Sequence, residues 1–116
     1  MSTVLDKIVA KTTEDLYQRK KKVAFADFDS FEQFEKQRID FKAALSKKDA
    51  VTIISEVKKG SPSKGIIREN FEPVDIALQY EDGGASAISV LTDEPFFMGN
   101  LSYLEAISKR VQLPLL

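Results

Sequence analysis

The sequence predicts an α/β protein with a helical N-terminal part. Residues 1–49 carry apolar side chains at helical spacing, which predicts a helical extension. Residues 50–116 alternate short β-branched runs with longer helical stretches. Such alternation is typical of parallel strands joined by right-handed crossovers. We therefore divide the chain at residue 50 into an N-terminal helical extension and a series of βα units.

The N-terminal extension is predicted to form two helices. Thr3 is the expected N-cap of the first, and the run RKKK at 19–22 is expected to close it, since cations favour the negative end of the helix dipole. Ser30 and Gln33 match a capping box for a second helix that extends to about Ala44. Four phenylalanines precede or begin that helix, and we expect core contacts rather than ligand contacts for them: Phe25, Phe28, Phe31 and Phe34.

The second part of the chain is predicted to contain two βα units and the beginning of a third strand. The β-branched run at 50–57 predicts the first strand, and the helix that follows is expected to begin at Pro73. The run at 85–92 predicts the second strand, and Asn100 is the expected N-cap of the next helix. LPLL at 113–116 predicts the start of the third strand. Mostly apolar strands are expected in a parallel sheet that helices cover.

The composition excludes several kinds of chemistry. With 43% hydrophobic residues, 30% charged residues and a net charge of −1, neither nucleic acid nor a membrane surface is an expected partner. The absence of cysteine and histidine excludes disulfides, thiolate metal sites and Ser-His or Cys-His catalysis. Acid–base chemistry would have to come from Asp, Glu, Lys or Tyr. Since the sequence has no run of about 20 apolar residues and no signal-peptide core, we expect a cytoplasmic protein.

The stretch ISEVKKGSPSKG at 54–65 places two opposite charges at the end of the first predicted strand. Side chains two residues apart share a strand face, so Glu56 and Lys58 are expected to be neighbours at the carboxyl end, where α/β folds bind ligands. The loop that follows contains Ser61, Ser63 and Lys64 and could hold an anion such as phosphate. An exposed ion pair beside a polar turn explains the same residues, and spacing alone does not decide between the two interpretations.

A second unusual loop, TDEPFFMGN, follows the second predicted strand on the same rim. Phe96, Phe97 and Met98 either pack against the protein itself or line a pocket for an aromatic ligand. We expect Asp93 and Glu94 to form part of the turn that leads into the next helix rather than to act as catalytic acids.

Taken together, IISEVKKGSPSKG, ALQYEDGGASAISVLTDEPFFMGNLSYLEAI and VQLPLL closely resemble the N-terminal portion of the indole-3-glycerol phosphate synthases of tryptophan biosynthesis. The resemblance extends through LDKIVAKTTEDL and DFKAAL, and so covers essentially the whole chain. It implies a partial (β/α)₈ TIM barrel with an N-terminal helical extension. It also implies a carboxy-lyase that closes the indole ring of 1-(2-carboxyphenylamino)-1-deoxyribulose 5-phosphate with loss of carbon dioxide and water. The family uses no cofactor and no metal.

Position by position, the resemblance implies catalytic roles for Glu56 and Lys58. Lys58 would bind the substrate carboxylate or act as an acid in the dehydration. Ser61 matches a serine near the substrate phosphate, and three further positions match residues around the anthranilate ring: Pro62, Leu91 and Phe97. The chain departs from the family pattern at Ser55 and Gly60, where alanine is common.

In this family the third strand continues into a K-D-F motif that carries another catalytic lysine, and the present chain stops at Leu116, where that motif is expected. We therefore expect a fragment that is inactive by itself. The alternative function is a non-catalytic partial-barrel module that self-associates through exposed strand edges. A different phosphate-binding barrel is a third possibility, but it would need neither the Glu-x-Lys pair nor the aromatic loop.

Overall fold

A computed structural model describes all of residues 1–116. The chain divides into two compact units, Met1–Gln37 and Arg38–Leu116. The boundary predicted at residue 50 rests on a different criterion, the change from helical to βα sequence, and it stays a prediction. None of the helices combines the length and the apolar character that crossing a membrane requires.

The first unit begins with helix α1 (Val4–Lys22), which has the predicted N-cap and the predicted basic end. The Thr3 hydroxyl accepts a hydrogen bond from the Asp6 N–H at 3.1 Å, and the Asp6 carboxylate accepts one from the Thr3 N–H at 2.7 Å. This backbone hydrogen bond holds the pKa of the Asp6 carboxyl below its ordinary value. Residues 19–22 form the basic last turn, so both ends of the helix are confirmed.

The prediction of one long second helix is wrong. A 3₁₀ helix spans Phe25–Ser30, and the next α-helix, α2, spans only Phe41–Leu45 in the second unit. The Ser30 hydroxyl donates to the Asp27 carbonyl oxygen at 2.6 Å instead of capping a helix that follows it. Serine side chains often bond to nearby backbone in this way, and the sequence pattern does not distinguish this use from capping. The cap of α2 is Asp40, whose carboxylate accepts from the Ala43 N–H at 2.9 Å.

The prediction that the four phenylalanines are core residues is also wrong for this structure. None of residues 1–37 is buried, and Phe25 is 87% exposed. Three of the four rings contact one another instead, with centroids 5.5 Å apart for Phe25 and Phe28 and 5.8 Å apart for Phe28 and Phe31. A single helix and a 3₁₀ turn cannot enclose four large side chains, so the rings form an exposed aromatic row.

The second unit contains the predicted alternation of strands and helices. After α2 its elements are β1 (Ile54–Val57), β2 (Gly60–Ser61), β3 (Gly65–Ile66), α3 (Pro73–Asp82), β4 (Ala87–Val90), α4 (Glu94–Phe97) and α5 (Leu101–Ser108). Pro73 occupies the first turn of α3, and the Asn100 side chain caps α5, both as predicted.

The main sheet is parallel, as the alternation predicted. β1 pairs with β4, and a parallel bridge between Ile88 and Leu115 adds the beginning of a third strand on the far side of β4. β2 and β3 form a separate antiparallel hairpin. Strand β1 has a neighbour on one edge only, and the sheet is an open α/β arrangement rather than a closed barrel.

The core lies between one face of this sheet and helices α3 and α5. Val57, Ile88 and Val90 point to that face, and they pack with residues of the helices and of the segment after α5: Ile76, Ala77, Ile107 and Val111. Since side chains alternate along a strand, Glu56 points to the opposite face. Packing of the helices therefore leaves the charged face of β1 open.

Candidate active site

Glu56 and Lys58 form the predicted ion pair at the carboxyl end of β1. The distance between Lys58 Nζ and Glu56 Oε1 is 3.2 Å, and the two side chains are 34% and 44% exposed, respectively. Ser89 lies opposite Glu56 on β4, and its hydroxyl donates to Glu56 Oε2 at 3.4 Å. Each carboxylate oxygen thus has its own partner, and the ammonium group remains accessible to a ligand.

The backbone at Glu56 is held by Tyr80 of α3. The Tyr80 hydroxyl donates to the Glu56 carbonyl oxygen at 2.9 Å. The carbonyl of Val57 accepts from the Leu91 N–H next to β4, and the carbonyl of Ile53 likewise accepts from β4. Because carbonyls alternate in direction along a strand, that of Glu56 points to the unpaired edge of β1. Tyr80 therefore satisfies a backbone group that no strand reaches.

An open cleft of about 470 Å³ adjoins the ion pair. It is lined by Glu56, Lys58, Ile67, Arg68, Ile76 and Tyr80. Two cationic side chains and one carboxylate give the cleft a net positive charge, and the isoleucines supply apolar surface. These properties suit an anionic ligand that also has an apolar part.

Sequence reasoning missed three members of this neighbourhood that carry polar groups, as well as its two isoleucines. Arg68 follows the serine-containing loop closely, so its charge was a usable signal. Tyr80 lies four residues after Ile76 and therefore on the same helix face, but which face meets the end of β1 depends on tertiary packing. Ser89 could be found only from the pairing of β1 with β4.

The serine loop, residues 59–65, is built on the hairpin of β2 and β3. The Ile67 N–H donates to the Lys59 carbonyl oxygen at 2.8 Å, and the Ser61 hydroxyl accepts from the Lys64 N–H at 3.2 Å. Gly65 has φ +63°, a left-handed conformation that suits glycine. Residues 62–65 are exposed. The loop therefore presents hydroxyl groups and one ammonium group to solvent.

The aromatic loop, residues 92–100, includes the short helix α4. The Asp93 carboxylate accepts from the Phe96 N–H at 2.9 Å, so Asp93 caps this short helix, which the sequence did not predict. Phe96 and Phe97 are half-buried. Met98 follows with φ +54° and exposes 37% of its surface.

The structure thus joins two of the predicted site residues and leaves four on neighbouring loops. Ser61, Pro62, Leu91 and Phe97 do not line the cleft beside the ion pair. Ser61, Leu91 and Phe97 are half-buried, and Pro62 is exposed. Their roles toward a substrate stay predictions. No group of three or more acidic side chains is arranged to hold a metal ion.

Parallel βα units that carry a carboxylate–ammonium pair and a serine loop after the first strand are typical of α/β proteins that bind their ligands at the carboxyl ends of the strands. The family model described as indole-3-glycerol phosphate synthase matches residues 5–116. The chain therefore belongs to the indole-3-glycerol phosphate synthase family.

Curated relatives named indole-3-glycerol phosphate synthase are similar along nearly the whole chain. The protein of Aliarcobacter butzleri (strain RM4018) is 47% identical over 116 residues, which cover 97% of this chain and 44% of that protein. The protein of Rhodopirellula baltica is 46% identical over 114 residues, covering 98% and 44%. That of Campylobacter jejuni (strain RM1221) is 50% identical over 117 residues, covering 97% and 45%. The chain spans less than half the length of these relatives.

Proposed function

We propose that this chain supplies the first part of an indole-3-glycerol phosphate synthase, a carboxy-lyase. The reaction closes the indole ring of 1-(2-carboxyphenylamino)-1-deoxyribulose 5-phosphate and releases carbon dioxide and water. The observation that carries this proposal is the ion pair of Glu56 and Lys58, at 3.2 Å beside a cationic cleft at the carboxyl end of β1. Membership of the family supports the same assignment.

Lys58 has two possible tasks in this reaction, and both follow from its charge. Its ammonium group can hold the substrate carboxylate while the ring closes, or it can give a proton to the departing hydroxyl group so that the C–O bond breaks and water leaves. Glu56 accepts a charge-assisted hydrogen bond from Lys58 and so orients the ammonium group. Ser89 and Tyr80 in turn restrain the carboxylate and the backbone of Glu56.

The neighbouring loops are proposed to bind the rest of the substrate. Ser61, with the exposed Lys64 nearby, is assigned to the phosphate group, because hydroxyl and ammonium groups are good donors to an anion. Pro62, Leu91 and Phe97 are assigned to the anthranilate ring, for which they offer apolar surface. Fixing a ring and a charged group together raises the rate by orienting the reacting atoms.

We further propose that residues 50–116 are the first βα units of a (β/α)₈ barrel whose remaining units complete the site. Since the chain belongs to a family whose resemblance implies catalysis without cofactor or metal, we propose that neither is used here. A cytoplasmic location is proposed because the phosphorylated substrate is a charged metabolite that does not cross membranes.

The test is a chimera in which residues 1–116 replace the matching part of the Campylobacter jejuni relative, which is 50% identical. We expect the purified chimera to form indole-3-glycerol phosphate, followed by the absorbance of the indole ring. The 116-residue chain alone is expected to form none, because the groups of a catalytic set act together. A folded chimera that forms no product contradicts the proposal.

A second candidate function is self-association, which the open edge of β1 favours. This edge is unpaired, and Val51 before β1 and Ile54 within it are 90% and 46% exposed. At the opposite edge of the sheet, Leu116 is 69% exposed. Unpaired edges and apolar patches of this kind promote association. We expect dimers or larger species in sedimentation of the 116-residue chain at micromolar concentration, and fewer of them after Val51→Lys. A single monomeric species would contradict this function.

A further inference from the structure

The aromatic loop is folded tightly onto the end of β4. The Gly99 N–H donates to the Asp93 carbonyl oxygen at 2.7 Å, and the Met98 N–H donates to the Glu94 carbonyl oxygen at 3.2 Å. A Cβ at Gly99 would overlap the Leu91 carbonyl oxygen, so only glycine allows the loop to close this tightly. The backbone position of Met98 is therefore determined by its own loop, which holds it in a left-handed conformation that a methionine rarely adopts.

Met98 packs directly on Gly60, at the base of the serine loop. A Cβ at Gly60 would lie 2.8 Å from Met98 Sδ and 3.3 Å from Met98 Cε. It would also lie 2.8 Å from the carbonyl oxygen of Gly65, on the other strand of the hairpin. Gly60 is buried although Met98 is partly exposed, so the methionine side chain covers the space that a larger residue at 60 would need.

This contact joins the two loops that carry the predicted ligand residues. Gly60 opens the hairpin and is followed at once by Ser61, whereas Met98 directly follows Phe97. Beyond the hairpin base the serine loop is exposed, so its position relative to β1 depends on what holds the base. The flexible, polarizable thioether of methionine is suited to fill such an irregular space.

We propose that Met98 is a positioning residue, which locks the serine loop through Gly60 and so holds Ser61 where the substrate anion binds. The identity of the ligand of the serine loop rests on the proposed function. The contact by which Met98 holds Gly60 is independent of that function. Met98 need not touch the substrate to act in this way.

The lock is tested by a double-mutant cycle in the 116-residue chain, with amide hydrogen exchange as the measurement. Met98→Ala removes the packing, and we expect about tenfold faster exchange at Ile67, whose N–H closes the loop on Lys59. Gly60→Ala places a Cβ 2.8 Å from both Met98 Sδ and the Gly65 carbonyl oxygen, so it should speed exchange by displacing Met98 and by straining the hairpin. The double variant should exchange more slowly than the product of the two single effects predicts, because the part of the Gly60→Ala effect that comes from Met98 is absent once Met98 is truncated.

Two variants serve as controls for this cycle. Met98→Leu keeps an apolar side chain of similar volume and should preserve slow exchange. Leu101→Ala truncates an apolar side chain that is 60% exposed nearby and should leave the serine loop unchanged. If the effects of Gly60→Ala and Met98→Ala simply multiply, the two residues are independent and the lock is disproved.

The positioning role is tested by kinetics in the chimera. Met98→Ala should raise KM about tenfold while kcat changes less than about threefold, since the change weakens binding in the ground state and the transition state alike. Met98→Leu should restore KM. An unchanged KM in an active Met98→Ala chimera overturns the role. An inactive parent chimera would refute the proposed function instead, and the exchange cycle would still decide on the lock.

Discussion

Replacing Lys58 by methionine should lower the rate of the reaction strongly but the free energy of unfolding only slightly. Methionine keeps the length and the apolar stem of lysine but removes the ammonium group that lies 3.2 Å from Glu56 Oε1. Both side chains of the pair are partly exposed, and ion pairs of this kind stabilise a fold by only about 0–1 kcal/mol. We therefore expect the free energy of unfolding to fall by no more than about 1 kcal/mol.

The effect on catalysis should be much larger. The loss of one positioned general acid typically lowers the rate by about 10² to 10⁴. At about 1.36 kcal/mol for each factor of ten, this corresponds to about 2.7 to 5.4 kcal/mol of transition-state stabilisation. The assay is formation of the indole ring by the chimera, with and without Lys58→Met, alongside urea denaturation of both proteins.

Lys109→Met is the matched control for this experiment. Lys109, which caps the C-terminus of α5, forms an ion pair with Glu105, with Nζ 2.7 Å from Oε1, but both side chains are well exposed and neither lines the cleft. The same substitution there should leave turnover unchanged. Equal turnover of the Lys58→Met and parent chimeras would refute the catalytic assignment of Lys58, and equal losses from both substitutions would show a non-specific effect of removing a lysine.

Three further predictions concern the fold. Ile107→Ala empties a fully buried position and should lower the free energy of unfolding by about 2–5 kcal/mol in urea titration; a loss as small as that of the exposed Leu101→Ala would contradict the assigned core. Gly99→Ala forces a Cβ onto the Leu91 carbonyl and should cost about 1–3 kcal/mol by the same measurement, and a neutral result would show that the aromatic loop adapts freely. The pKa of Asp6 is lowered by its bond with the Thr3 N–H, so its stabilisation of α1 is complete above pH 3.8 and is lost as the pH falls through the lowered pKa. The protection of amide hydrogens from exchange in the first turn of α1 should therefore decrease only below pH 3.8, and a decrease at higher pH would contradict the cap.

Elements with strong local signals could be predicted from the sequence. The N-caps Thr3 and Asn100 and the first-turn Pro73 act through bonds or geometry within a few residues, so residue type alone identifies them. The same holds for the ion pair, because the two-residue period of a strand puts Glu56 and Lys58 on one face.

Choices between alternative local hydrogen bonds, and features that depend on distant partners, could not be predicted. Ser30 has the right type and spacing for a cap, but its hydroxyl bonds backwards to Asp27, a choice that local sequence leaves open. Tyr80 reaches the Glu56 carbonyl only because α3 packs at the edge of β1. The exposed row of phenylalanines shows the same limit, since an apolar pattern tells which side chains favour burial but not whether a partner surface is present.

The hydrogen bond from Tyr80 also affects how a further strand can join β1. A carbonyl oxygen offers two lone pairs, and at Glu56 the phenol already uses one of them. A strand that adds at this edge must share that oxygen or displace the hydroxyl, and it gains less free energy there than at an unoccupied acceptor. The row of acceptors along the edge is therefore not uniform, and only a strand that ends before Glu56, or that places a proline opposite it, avoids this competition. One tyrosine hydroxyl thereby weakens strand addition at the end of β1 nearest the ion pair.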